Sequence, residues 1–439
     1  MFISSRVRNV EKPKESIEIE LLPQKESRTE HLSFGHKLLS VMHLIFGQHL
    51  RVPPLDRNLG LCWNIIFTFH SSAIYAVGIF CTISAFFALR KNLNNFGNAI
   101  FVAAGFIGSL ECVVRHGYSL MQKNKIEMVV AKIHHNLYHQ NLETDPLPFV
   151  KRLSRVITIF IAVIVVVFAI TLATGYITVF LKLATILDGL MKDNPRADAD
   201  QFIRESNFSV EINEAWTYTS QVFYVWRSVT LMRIVCGIIH FYSFFAIGRI
   251  MISDLLFYTW YSTIIHQYRQ LAKELPKVME KRAGKDKLQD WINCHQSLNE
   301  LLKEINCLTS PVIVLGVITT GLQICILSFV MLKLFSETNV FISLVYAIST
   351  LQKLVVYCVL GQKLKDSADS LHAEAYKGPW IDNADENNQH IALMVMASSE
   401  KNRSCLPGAP FFSMSLEFLA SMASAIFTYF IVLIQLNKN

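Results

Sequence analysis

The sequence predicts an all-α polytopic membrane protein with seven transmembrane helices, its N-terminus in the cytosol and its C-terminus outside. Three observations predict it. Hydrophobic residues make up 52% of the 439 and charged residues 17%, against roughly 25% charged in soluble domains. The apolar residues come in blocks of about 20 or more, enough to cross ~30 Å of hydrocarbon, rather than in amphipathic stripes. The loops between blocks differ in charge from one side to the other, which sets a direction.

Taken in order, residues 1–58 read as a cytosolic segment, polar and charge-mixed up to Glu30 and more amphipathic over His31–Leu50. No cleavable leader is expected, because the first apolar block begins only at Leu59 and must itself drive insertion. The blocks fall at 59–89, 96–121, 157–182, 217–260, 311–335, 339–361 and 411–436. The fourth is too long for one crossing and runs on past Asp254, His266 and Arg269 without an internal Pro. One helix that leaves the membrane and continues into water explains it. Pro311 is expected to open the fifth span.

Lysines and arginines gather in the loops after spans two and four, including Lys123, Lys125, Lys151, Arg152, Lys273, Lys277 and Arg282, whereas residues 183–216 form an acidic loop. The positive-inside rule puts the basic loops in the cytosol and the acidic one outside. Asn207-Phe208-Ser209, an N-glycosylation acceptor, lies in that outer loop and agrees with the assignment. The formal charge of +7 is thus a topology signal, not a sign of nucleic acid binding. The expected organisation is 59–268 for transmembrane helices one to four, 269–310 for a cytosolic loop and anchor helix, and 311–361 for helices five and six. Residues 362–410 then supply a second cytosolic anchor helix and 411–439 the last span. A G-protein-coupled receptor would have the opposite orientation, and its acidic-Arg-Tyr and Asn-Pro-x-x-Tyr boxes are missing.

Ionisable residues inside apolar blocks cost several kcal/mol and need a partner or a purpose. Glu111 and Arg115 stand four apart in span two, where one helical face lets them pair. Arg227 and Arg233 can snorkel to the surface, while Lys353, inside span six, must face protein or water. His134, His135 and His139 share a segment without cysteines or carboxylates to complete a metal set, and the nine cysteines form no C-x-x-C pair. No nucleophile elbow, phosphate-cradling loop or H-E-x-x-H occurs, so no enzymatic activity, metal or cofactor is expected. A transporter would carry repeated halves and broken helices at mid-membrane, and neither is visible.

On a helix, Tyr429, Val432 and Leu436 recur at i, i+3 and i+7, flanked by Gln435. Around a symmetry axis such a face stacks rings of Val and Leu beside amides, a barrier that conducts once it wets; the same stripe also suits a bundle core.

The stretch "GQKLKDSADSLHAEAYKGPW", with Ser370, Leu371, Ala375, Tyr376 and Trp380, followed by "GAPFFSMSLEFLASMASAIFTYFIVLIQL", resembles the C-terminal part of insect odorant receptors. Thr428-Tyr429, five apolar residues and Gln435 also resemble the signature shared with gustatory receptors, with Leu436 where those have Phe; a gustatory receptor of the same fold is therefore the alternative. The tail is similar to that of the odorant co-receptor subunit, but the loop at Arg269–Trp291 is short where the co-receptor has a long insertion. The resemblance implies an odorant receptor subunit in the plasma membrane of sensory neurons: a tetrameric, ligand-gated, non-selective cation channel. Its partners would be a small volatile odorant, membrane lipids, and either a co-receptor subunit or copies of itself. It puts Val432 and Leu436 at the gate, Gln435 and Tyr429 beside the ion path, and the chain's end at the pore wall. It also implies an odorant pocket in the outer half of the bundle. There Phe96, Ile100, Phe101, Thr174, Tyr176, Thr178, Val225, Ser228, Met232, Phe341 and Tyr346 are candidates by depth and type, as aromatic, aliphatic and Met walls with a few hydroxyls suit such a ligand.

Overall fold

The computed structural model describes residues 61–91, 93, 96–139, 147–163, 166, 229–278, 285–333, 337–377, 407–409 and 412–438. The N-terminal segment, the acidic loop with Asn207, and Thr174, Tyr176, Thr178, Val225, Ser228 and Trp380 lie outside these residues. In chain order the helices are α1 (Leu61–Lys91), α2 (Phe96–Met121), α3 (Lys123–His139), α4 (residues 147–163), α5 (Val229–Val278), α6 (Lys285–Lys333), α7 (Glu337–Lys377) and α8 (Leu416–Lys438). The strands among the described residues are a short antiparallel pair, β1 (Pro407–Ala409) and β2 (Phe412–Ser413).

α2 covers the expected second block residue for residue, and α5 is the single overlong helix the fourth block demanded, 50 residues or about 75 Å at ~1.5 Å per residue. Two expectations change. The expected anchor helix before Pro311 and the fifth span are one helix, α6, of 49 residues with Pro311 inside it. The sixth span and the segment after Gly361 are likewise one helix, α7. Pro311 cannot donate to the carbonyl a turn earlier, and beside this weak point the Tyr118 hydroxyl donates to the Leu308 carbonyl (3.1 Å), tying α2 to α6 there.

Two layers result. In the membrane layer, large apolar side chains point outward: Ile65, Ile66, Phe69, Ile83 and Phe86 on α1, Val114 on α2, Ile159 and Val163 on α4, Ile318 and Leu322 on α6. A water-soluble protein would not leave so continuous an apolar surface uncovered, and bilayer hydrocarbon is the solvent that suits it.

The second, distal layer joins the polar ends of α5, α6 and α7 with α3. Its core includes Val129, Trp260, Tyr261, Ile264, Tyr268, Leu271, Leu275, Trp291, Leu298, Leu301, Ile305, Leu364, Leu371 and Ala375. Three large polar side chains of this core have partners for their buried donors. The Trp291 indole donates to the Leu271 carbonyl (3.1 Å), the Tyr268 hydroxyl to Asn299 (2.6 Å), and the Tyr261 hydroxyl to Asn306 (2.9 Å). Leu371 and Ala375, read in the sequence as part of a motif, are the buried i, i+4 pair that seats α7 in this core.

A buried His gives the distal layer a pH dependence. His295 is 3% exposed and stacks on Trp291 at 5.4 Å; burial, then the neighbouring His372, lowers its pKa to about 4. The unfolded value is about 6.5, so below pH 6.5 the unfolded chain takes up the proton first. Stability therefore falls from pH 6.5 towards pH 4, by about 2 kcal/mol at pH 5 from this group. The expected result is a melting temperature that drops between pH 7.5 and 5, and less steeply in His295→Gln; equal slopes would remove His295 as the cause.

Candidate functional site: a buried ion network beneath the last helix

α8 starts where Ser415 caps it. The Ser415 hydroxyl accepts from the Phe418 N–H (3.2 Å), satisfying one of the free donors of the first turn, and Glu417 adds a carboxylate at the positive end. One face of α8, through Phe418, Leu419 and Met422, packs on the core formed with α6 and α7. Met422 Cε reaches Gly321 of α6, 3.5 Å from where a Cβ would stand. On the opposite face Glu417, Ser421, Ser424, Thr428 and Gln435 are exposed. They recur at steps of four, three, four and seven residues and so share one side of the helix, a polar line on a helix whose other residues before Gln435 are apolar or, at Tyr429, aromatic. Ser421 and Thr428 also donate back to the carbonyls of Glu417 and Ser424 (3.0 and 2.9 Å).

Of the expected gate residues, Gln435 lies in this stripe, Val432 (45% exposed) borders it, and Tyr429 (37% exposed) stands further round. Leu436 follows about 100° from Gln435 on the helix, and its side chain lies outside the described residues. Of the expected pocket residues, Phe96, Ile100 and Phe101 fall in the first turns of α2, Met232 in the first turn of α5, and Phe341 and Tyr346 in the first three turns of α7. All six thus lie at the end of the bundle opposite the distal layer; their side chains too are outside the described residues.

Below that end sits a network of buried charge. The carboxylate of Glu111 on α2 meets Arg115 Nε one turn on (3.2 Å) and Lys353 Nζ of α7 (2.6 Å), and accepts from the Thr319 hydroxyl of α6 (2.8 Å). Arg115 Nη1 donates to Asp254 of α5 (2.7 Å), to which the Tyr357 hydroxyl of α7 also donates. Gly316 of α6 makes the room: a Cβ there would stand 3.0 Å from Arg115 Nη2. The side chains of Glu111 and Arg115 are 4% exposed, those of Asp254 and Lys353 18% and 15%. Two carboxylates, on α2 and α5, face two cations, on α2 and α7, and the Thr319 hydroxyl adds α6. In such surroundings charge persists only when paired.

The sequence marked Glu111, Arg115 and Lys353 as buried charge; the structure joins them through one carboxylate. Asp254, expected beyond the membrane on the protruding end of α5, sits in the network instead. Tyr357 and Thr319 were missed, since a hydroxyl in an apolar run carries no signal of its own. So was a second cluster, where Arg249 of α5, 4% exposed, donates to Ser119 of α2 (2.8 Å) and also contacts His116 and Ser71. A search for charge inside the fourth apolar block would have found Arg249.

A long-helix bundle with an apolar outer surface and ion pairs buried inside it is the architecture of a polytopic membrane protein. The odorant receptor family model (7tm Odorant receptor) matches residues 92–427, and the chain belongs to that family. It is 26% identical to the odorant receptor co-receptor of Anopheles gambiae and 28% to that of Harpegnathos saltator, each over 149 residues, which is 34% of this chain and 30% of the relative. Odorant receptor 10 of Aedes albopictus is 19% identical over 142 residues, 32% of this chain and 37% of the relative. The chain thus spans less than half the length of the curated relatives it matches. The fold is similar to that of the olfactory receptor OR5 from Machilis hrabei, with TM-score 0.64 at 17% identity, covering 93% of this chain and 99% of that one. It is equally similar to the complex of that receptor with eugenol, at 15% identity.

Proposed function

We propose that the chain is an odorant receptor subunit that works as a ligand-gated, non-selective cation channel. A small volatile ligand binds at the end of the bundle where α2, α5 and α7 begin, and a central pore lined by α8 of each subunit opens in response. The observation that carries this reading is the two-faced α8. Its apolar face is taken up by α6 and α7, while its polar stripe of Glu417, Ser421, Ser424, Thr428 and Gln435 is left uncovered in a single subunit. Such a stripe is costly against lipid and favourable against water, as a pore around a symmetry axis provides.

The subunits assemble as a tetramer, with a co-receptor subunit or with copies of this chain, in the plasma membrane of sensory neurons. The distal layer lies in the cytosol, the N-terminus on the same side, and the loop bearing Asn207 outside. Membership of the family and the eugenol complex of a similarly folded receptor support a small aromatic ligand as the first to try.

Excised patches from cells making this chain, with and without a co-receptor subunit, test the proposal against an odorant panel that begins with eugenol. Agonist-evoked cation current in the absence of GTP is expected. Leu436→Ala is expected to raise basal current or change permeation. Current that requires GTP would end the channel reading, and wild-type gating and selectivity in Leu436→Ala would move the gate elsewhere.

A further inference from the structure

We propose that the buried ion network is the seat that sets the resting position of α8, with the Glu111–Lys353 bond as its clasp. The proposal rests on the channel reading only for what the movement of α8 controls.

Besides the packing of Phe418 and Leu419, α8 and the residue leading into it meet α7 and α6 at two glycines. Met422 rests against Gly321 of α6, and just before the helix the Met414 carbonyl presses on Gly361 of α7. Each lies close to a member of the network. On α6, Thr319 is two residues before Gly321; on α7, Tyr357 is one turn before Gly361 and Lys353 two turns before. Thr319 and Lys353 bond the two oxygens of the same Glu111 carboxylate, at 2.8 and 2.6 Å. A single group on α2 therefore fixes both helices that carry α8. Asp254 repeats the device from α5, holding Tyr357 of α7 and Arg115 of α2.

Bonds of this kind, shielded from water, depend steeply on distance and direction. They favour discrete arrangements over continuous drift, which is what a two-state element requires. Glu111, Thr319, Lys353 and Tyr357 are thus positioning residues: they act on α8 through Gly321 and Gly361.

The test uses the full chain, expressed with a co-receptor subunit and carrying Ser424→Cys as a reporter on the exposed stripe of α8. The rate at which a charged methanethiosulfonate reagent modifies that cysteine without agonist is compared between the reporter alone and the reporter with Glu111→Gln/Lys353→Met. The pair of changes removes one negative and one positive charge, so the balance in the network is kept. Normal surface levels are expected, with modification faster by about threefold or more as α8 leaves its resting position more often. Tyr357→Phe removes one hydroxyl and is expected to act in the same direction, less strongly; it decides the matter if the double variant fails to reach the surface. A modification rate equal to that of the reporter alone would overturn the proposal. Faster modification with no agonist current in any variant, wild type included, would keep the seat and overturn the channel. Agonist current with unchanged modification would do the reverse.

Discussion

Gly361→Ala is expected to remove most of the protein from the cell surface. A Cβ at this position would lie 2.0 Å from the Met414 carbonyl oxygen and 2.9 Å from its carbon, well inside van der Waals contact. The obstacle is backbone, so no side chain can rotate out of the way. Met414 is itself 1% exposed, held between the β1–β2 hairpin and the start of α8, and cannot retreat without moving both. Ordinary overpacking of a core costs about 1–3 kcal/mol, and a backbone collision with a single methyl exceeds that range. The measurement is surface biotinylation together with the melting temperature of the detergent-extracted protein. A Gly361→Ala protein with wild-type surface level and melting temperature would mean that α7 and the hairpin separate easily, contrary to the packing described.

Arg115→Met is expected to be as damaging, for an electrostatic reason. Met matches the guanidinium stem in length and polarity of packing but cannot bridge Glu111 and Asp254. Asp254 then retains only the Tyr357 hydroxyl, because Lys353, the remaining cation of the network, is bonded to Glu111. Breaking a buried pair by removing one partner costs about 3–5 kcal/mol, because the survivor stays buried and uncompensated. A large part of the marginal stability of a folded protein disappears with it. Adding Asp254→Asn to Arg115→Met removes the stranded charge and is expected to restore a substantial share of the melting temperature. If the single variant melts as wild type does, or the second change gives no recovery, the network is not held by charge.

How far the sequence could be read depended on what each signal measures. α2 was legible to the residue because its apolar block is bounded on both sides by polar residues and charge. The helices α6 and α7 were each divided in two because the reading followed composition, which turns from polar to apolar near Ser310 and back near Gly361 while the backbone helix continues. Pro311 reinforced the error, since it marks a missing hydrogen bond and not a helix end. Glu111 and Arg115 could be paired from their spacing alone. That Lys353, 242 residues further along, bonds the same carboxylate could not, since nothing local records which helices pack together. The polar stripe of α8 was half visible. Thr428 and Gln435 stood out against their neighbours, but Glu417, Ser421 and Ser424 joined them only once the packed face was known.

The length of α5, α6 and α7 has a mechanical consequence. Each runs from one layer into the other as a single helix, so the layers are coupled by three continuous shafts, of which α6 carries Pro311 as a point of give. Tilting a shaft by about 3° moves a point some 23 residues along it, ~35 Å away, by about 2 Å. A small displacement where α5 and α7 begin is therefore delivered to the far end at a similar size, and sequence changes deep in the distal core should retune responses set at the opposite pole.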